Sequence, residues 1–258
     1  MIRTAFTMLV FVTFTIICGL MGLIGALLGL RDGVGSIFDY AMRIWGTTAT
    51  WASGVKVVVH GRENLDGAQH IIVSNHMSQH DILVLATVLK NLKFVAKNEL
   101  ARVPFFGKAA ASVGTVYIER QNRKSSFDSY RQAAEKIREG ACVVVFAEGS
   151  RGFTYSLRPF KKGPFVLAVH VHAPIVPVVI HGTREVHPKG KLWVKAGRVD
   201  VHFLPPIPTE GLGYDNRNDL AKIVYDRMAA LLVSEYGVES PHWDPRKTPI
   251  ARETNVSN

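Results

Sequence analysis

The chain has 258 residues, enough for one folded domain plus an appendage, and 31 Lys and Arg against 21 Asp and Glu leave a formal charge of +10. That excess draws the molecule toward anionic surfaces, phosphate-bearing lipids and coenzymes among them, while the lack of any recognised nucleic-acid-binding motif excludes nucleic acid as the expected partner. Two cysteines, Cys18 in an apolar run and Cys142 in a strand-like run, exclude a disulfide framework and indicate a reducing compartment for the folded part.

Residues 4–30 form an uncharged run bracketed by Arg3 and Arg31. As a helix rising about 1.5 Å per residue it is roughly 40 Å long, more than the roughly 30 Å hydrocarbon core of a bilayer. It is also longer than a signal-peptide core, and no small-x-small cleavage site precedes Arg31, so it reads as a retained anchor able to span with tilt. The spacing Gly25-x-x-x-Gly29 permits another helix to approach closely, although glycine is common in membrane helices for other reasons. Residues 34–54, with Trp45 and Trp51, suit a helix at headgroup level, and packing onto the folded domain produces the same pattern. Residues 1–54 are therefore read as a membrane-anchoring helical segment.

From residue 55 onward short β-rich runs alternate with helical stretches. Strands are expected at 55–60, 70–74, 93–96, 115–118, 142–146, 175–180 and 199–203, and helices at 79–90, 105–111, 125–139, 164–172 and 218–236. This is the pattern of an α/β domain with a mixed, mostly parallel sheet flanked by helices, here 55–239. The polar, proline-containing residues 240–258 read as a disordered tail.

The chemistry is densest at "NHMSQHD", residues 75–81, where His76 follows a buried strand and Asp81 opens an apolar helical run. Three readings compete. Ser78 and Asp81 resemble a helix-capping box, leaving His76 as a loop residue. His76 and His80, four apart, have the spacing of a metal-binding pair, but the glutamate of a zinc helix is missing and further histidine clusters are sparse. In the third reading His76 is a general base oriented by Asp81. Five positions on a helix differ by about 140°, so the two meet only if His76 precedes the helix and Asp81 lies in its first turn. A carboxylate on one ring nitrogen fixes the tautomer and leaves the other nitrogen to take a proton near neutral pH. No serine or cysteine nucleophile is placed beside them, so the substrate brings the hydroxyl.

Four blocks occur in order: "NHMSQHD" (75–81), "GTVYIER" (114–120), "FAEGSRG" (146–152) and "APIVPVVI" (173–180). Together they resemble the glycerolipid acyltransferases, most closely the 1-acylglycerol-3-phosphate O-acyltransferases, over about residues 55–208. The resemblance implies that His76 deprotonates the acceptor hydroxyl and Asp81 orients it. It assigns Arg120, Glu148, Gly149 and Arg151 to the glycerol phosphate site and Pro177 to the acyl-donor side. Lys97 and Glu99, in "VAKNEL", match an element near the acyl channel.

Physical chemistry supports a phosphate reading: guanidinium groups clamp phosphate through paired charge-assisted hydrogen bonds, and glycine lets backbone approach a ligand. Glu148 would repel a phosphate unless an arginine pairs with it. Each residue also has a plainer explanation: Arg120 as a solvated member of "ERQNRK", "EGSRG" as a simple turn, Pro177 as the mark of an edge strand. Arg158, Lys161 and Lys162 read as a solvated basic face, with contact to donor phosphates or the membrane as the alternative. The chain departs from the resembled pattern at Ala147, where proline is common, at Ser150, where threonine is usual, and at Tyr117 and Glu119; none of these removes a charge the chemistry needs.

The implied activity is transfer of a fatty acyl group from acyl-CoA or acyl carrier protein to lysophosphatidic acid, without metal or cofactor, at a membrane whose lipids are partners. The availability of acyl donors places the catalytic domain on the cytoplasmic face. Alternatives are another lysolipid or acyl-amino-acid acceptor, or a catalytically silent basic protein that binds membranes.

Overall fold

A computed structural model describes residues 1–65, 70–119 and 123–246. In chain order it contains α1 (Ile2–Leu27), α2 (Ile37–Ser53), β1 (Val55–His60), β2 (His70–Ser74), α3 (His80–Val88), β3 (Leu92–Lys97), α4 (Phe106–Ser112), β4 (Val116–Ile118), α5 (Arg123–Arg138), β5 (Cys142–Phe146), α6 (Gly163–Val171), β6 (Ile175–His181), α7 (Thr183–Val186), β7 (Gly197–Phe203) and α8 (Arg217–Tyr236). The seven strands form one sheet in the order β1-β7-β6-β2-β5-β3-β4. Every neighbouring pair is parallel except β6 and β7. The expected strands and helices are present, with ends shifted by at most two residues.

Alternation along the strands feeds two cores. Ile71 and Val73 of β2 pack with Ile137 of α5, Phe165 of α6 and Leu220 of α8. Ile72, between them, joins the opposite core with Phe38 and Met42 of α2 and Leu85 of α3. Asp32 of the α1–α2 connection and Asp39 in the first turn of α2 tie this region to the sheet side. Lys93 of β3, 1% exposed, forms a 2.8 Å ion pair with Asp32, and Asp39 accepts the backbone N–H groups of Gly35 and Asn91.

Helix α1 is packed along one side and bare along the other. Thr7 donates to the Ala52 carbonyl, Trp45 Nε1 donates to Thr15 Oγ1, and Gly19, Gly22 and Gly25 are buried. A Cβ at Gly19 would lie 2.8 Å from the Phe105 ring, and one at Gly25 2.8 Å from Ile37. The close-approach stripe therefore runs through glycines three apart, not through Gly25 and Gly29: Gly29 lies beyond the helix with nothing near it. Leu9, Val12, Ile16, Leu20 and Ile24 are exposed. Among the described residues α1 is the one helix long and apolar enough to cross a membrane. Helix α2 packs on the sheet face, as the second reading of that segment expects, and leaves Trp51 exposed.

The expected tail does not begin at 240. Ser240 Oγ accepts the Leu157 N–H, the Pro241 carbonyl accepts the Tyr225 hydroxyl, and Trp243 is buried against Phe160 and Tyr225. One large aromatic outweighs the polar composition around it.

Candidate active site

Strand register assembles the site. Ser74 of β2 stands beside Phe146 of β5, so the segments following these residues, 75–81 and 147–152, leave the sheet side by side at its carboxyl edge, where open α/β sheets bind ligands. Three contacts hold them. The Asn75 side chain pairs with both backbone groups of Ile180 at 2.9 and 2.8 Å, Gly152 N–H donates to the His76 carbonyl at 2.7 Å, and His76 N–H donates to Glu148 Oε1 at 3.2 Å.

His76 precedes α3 and Asp81 lies in its first turn. The His76 Nδ1 atom is 2.8 Å from Asp81 Oδ2. The same oxygen accepts the N–H groups of Met77 and Ser78 at 2.7 and 2.9 Å, and Oδ1 accepts the Thr183 hydroxyl at 2.5 Å. Asp81 is fully buried and surrounded by donors, so the ring nitrogen facing it carries the proton and Nε2 is left as the acceptor. Phe146 stacks on the imidazole with ring centres 3.9 Å apart, restricting its rotation. The capping reading is also realised, in a shifted form: the carboxylate bonds backward to Met77 and Ser78 while Ser78 Oγ accepts the His80 N–H.

Glu148 is buried, and its second oxygen accepts Arg158 Nε at 2.8 Å. Arg158 also donates to the hydroxyl and carbonyl of Ser150. Read from sequence as part of a solvated face, Arg158 is instead the arginine that Glu148 requires. Burial raises the Glu148 pKa above its usual value, and hydrogen bonding and charge from Arg158 oppose that. Gly149 turns the loop with φ of 79°, in the left-handed region.

A cavity of about 570 Å³ opens in front of His76. Its apolar part lies between α1, α2, α4 and β3, lined by Gly19, Met42, Phe94 and Ala110 among others, and its polar part by Gly149, Arg151, Lys97, Glu99 and Lys189. Lys189 Nζ bonds the Arg151 carbonyl at 2.9 Å. Desolvation, then the charges of Arg158, Arg151 and Lys97, pull its pKa down, which identifies a cluster of cations that an anion would relieve.

His76, Lys97, Glu99, Gly149 and Arg151 thus line one cavity, with Asp81 and Glu148 buried behind it. Pro177 does not line it; it is buried in β6, an interior strand, so the edge-strand explanation fails, and the antiparallel ladder with β7 begins one residue later, at Val178. Arg120 lies outside the described residues. Lys189 and Thr183 escaped sequence reading, because single residues of those types carry no spacing signal, and Phe146, although it opens the third block, received no role.

The metal spacing of His76 and His80 is not used as such. His76 is engaged by Asp81, while the His80 ring is buried edge-on to His187 with a 5.3 Å centroid separation. Elsewhere among the described residues His60, Asp200 and His202 lie close enough to share an ion. Asp200 is already held by Arg198 and His60, and the two imidazoles stack face to face at 4.3 Å, so their lone pairs do not converge.

The Acyltransferase family profile matches residues 56–181. A putative 1-acyl-sn-glycerol-3-phosphate acyltransferase of Caenorhabditis elegans is 34% identical over 197 residues, 74% of this chain and 69% of the relative. The 1-acyl-sn-glycerol-3-phosphate acyltransferase of Saccharomyces cerevisiae is 34% identical over 221 residues, covering 83% and 73%. In three dimensions the fold is similar to the crystal structure of the 1-acyl-sn-glycerophosphate (LPA) acyltransferase of Thermotoga maritima, with a TM-score of 0.72, 26% identity, and coverage of 89% of this chain and 95% of that one.

Proposed function

The chain belongs to the 1-acyl-sn-glycerol-3-phosphate acyltransferase family, and from that premise we propose that it transfers a fatty acyl group from a thioester donor, acyl-CoA or acyl carrier protein, to the sn-2 hydroxyl of 1-acyl-sn-glycerol 3-phosphate, forming phosphatidic acid. The observation that carries this reading is the 2.8 Å pairing of His76 with Asp81 at a cavity that is apolar between the helices and cationic at Arg151 and Lys189.

In this mechanism His76 Nε2 takes the hydroxyl proton as the oxygen attacks the thioester carbonyl. The tetrahedral intermediate collapses by breaking the C–S bond, and the imidazolium returns its proton to the departing thiolate. Positioned base catalysis contributes about 10²- to 10⁴-fold, so the remainder comes from holding both substrates in line and from electrostatic stabilisation. Arg151, Lys189 and Lys97 bind the acceptor phosphate, with Arg120 completing the set. Glu148 serves through structure: it anchors the His76 backbone and is itself held by Arg158. The apolar part of the cavity receives an acyl chain. With α1 packed against the domain along its length, its bare face meets lipid and the catalytic domain sits at the cytoplasmic surface.

The test is acyl transfer by the purified chain from radiolabelled acyl-CoA and acyl carrier protein to lysophosphatidic acid. Labelled phosphatidic acid is expected, with His76→Ala inactive yet folded by circular dichroism. Absence of product from both donors refutes the reading.

A further inference from the structure

The tip of one exposed loop takes no part in the chemistry above. Between α7 and β7 the chain makes a loop, residues 187–196, whose tip is both apolar and basic. Leu192 is 84% exposed and Trp193 37% exposed, and Lys191 and Lys195 are exposed on either side of them. Lys195 Nζ lies over the Trp193 ring, 4.6 Å from its centre.

The loop is held in shape. Lys195 N–H closes it onto the Val186 carbonyl at 2.9 Å, Lys191 N–H bonds the Pro188 carbonyl, and the His187 ring bonds the Lys191 carbonyl at 2.8 Å. A held loop that leaves a leucine in water forgoes burial it could have gained by folding inward. Its neighbours say what covers it. Val194 N–H donates to Thr4 Oγ1 at 3.1 Å, fastening the loop to the first turn of α1, and the bare apolar side of α1 continues from there through Leu9 and Val12. At its other end the loop carries Lys189 into the cavity mouth, where the same lysine lies over exposed Phe153 at 4.1 Å.

We infer that this loop is a second membrane-contact element, with Leu192 and Trp193 entering the headgroup region of an anionic bilayer and Lys191 and Lys195 pairing with its phosphates. The occupant is a lipid surface because apolar tip, tryptophan and flanking lysines are the composition that partitions to that interface. The inference rests on the membrane-bound enzyme proposed above and extends it: one rigid loop couples the lipid surface to the cation cluster that meets the acceptor.

The full chain reconstituted in phosphatidylcholine vesicles, with and without phosphatidylglycerol, tests this. Trp193 emission is isolated as the difference between the native chain and Trp193→Phe, using lipids brominated near the headgroup. Quenching is expected, stronger with phosphatidylglycerol. In K191Q/K195Q the loop's contact equilibrium falls by roughly 30-fold, the equivalent of about 1 kcal/mol for each lysine, and the phosphatidylglycerol effect disappears. If Trp193 is untouched by brominated lipid and quenched freely by iodide in both vesicles, the loop faces water and the inference fails. Quenching indifferent to phosphatidylglycerol and to the lysines overturns the anionic partner. K191Q/K195Q retains acyl transfer in detergent, so an inactive native chain would overturn the proposed function while leaving the fluorescence result standing.

Discussion

Thr183 donates its hydroxyl to Asp81 across 102 positions of sequence, fixing from the segment that follows the neighbouring strand β6 the carboxylate that orients His76. All the donors on that carboxylate point inward, so an amide there would have to turn an N–H₂ toward groups that are themselves donors. Asp81→Asn is expected to leave His76 in the wrong tautomer and lower kcat by about 10⁴-fold, the scale of the equivalent change in a Ser-His-Asp site. Steady-state kinetics check this; a loss confined to KM contradicts it.

Lys189 is expected to act on binding. Removing one charge-assisted hydrogen bond to a phosphate costs about 1.5–3 kcal/mol, so Lys189→Ala should raise the KM for lysophosphatidic acid about 10- to 100-fold with little change in kcat. An acceptor lacking the phosphate should show no difference between the two proteins.

Arg158 opposes the upward push of burial on the Glu148 pKa. In Arg158→Gln that pKa rises further. The acid limb of the pH–rate profile should then move to higher pH, because a protonated Glu148 offers the His76 N–H only a neutral, weaker acceptor and loses its ion pair. The stability deficit of the variant should also grow as pH rises through the raised value, where the folded state alone is still protonated. Profiles that superimpose would remove Glu148 from this role.

Gly19 lets α1 approach α4 and also lines the cavity. A leucine there meets the Phe105 ring and Ala109 with its Cβ, so α1 and α4 must shift and the rest of the side chain narrows the apolar space beside them. Gly19→Leu should favour shorter acyl donors over longer ones by about tenfold or more, since each mismatched methylene in such a pocket is worth about 1–3 kcal/mol. Competition between donors of different length, read by mass spectrometry of the product, measures it.

His80 is 3% exposed with neither ring nitrogen hydrogen-bonded, and desolvation, with help from His187, lowers its pKa from 6.5 to about 4. Between those values the unfolded chain binds a proton that the folded chain does not. Stability therefore falls as pH drops through this window, by about 3 kcal/mol in all. Thermal melts of His80→Phe across the window should show a flatter pH dependence than the native chain.

The pairing of His76 with Asp81 was legible because both lie in one short segment, where strand end and helix start fix their separation. The block order likewise pointed to Gly149 and Arg151. Arg158 was misread because a basic run looks the same whether solvated or folded back on a buried glutamate. The start of the expected tail was misread because composition averages over the few residues, Ser240, Pro241 and Trp243, that dock it, while 247–258 lie outside the described residues. Pro177, assigned by resemblance to the acyl-donor side, does not line the cavity, and its plainer explanation as the mark of an edge strand fails because β6 is interior.

By itself the amino-acid sequence determined what local periodicity can carry: an apolar N-terminal helix, alternating strands and helices, and a histidine and aspartate set to meet across a helix start. Only the tertiary structure decided which strands are neighbours, and with it which distant side chains share the site. Glu148 reaches the His76 backbone because β2 and β5 are paired in register, and Thr183 reaches Asp81 because β6 lies on the other side of β2. The physical reason is that backbone hydrogen bonding satisfies any strand partner almost equally, so the choice rests on packing of both faces at once, which no short stretch of sequence contains.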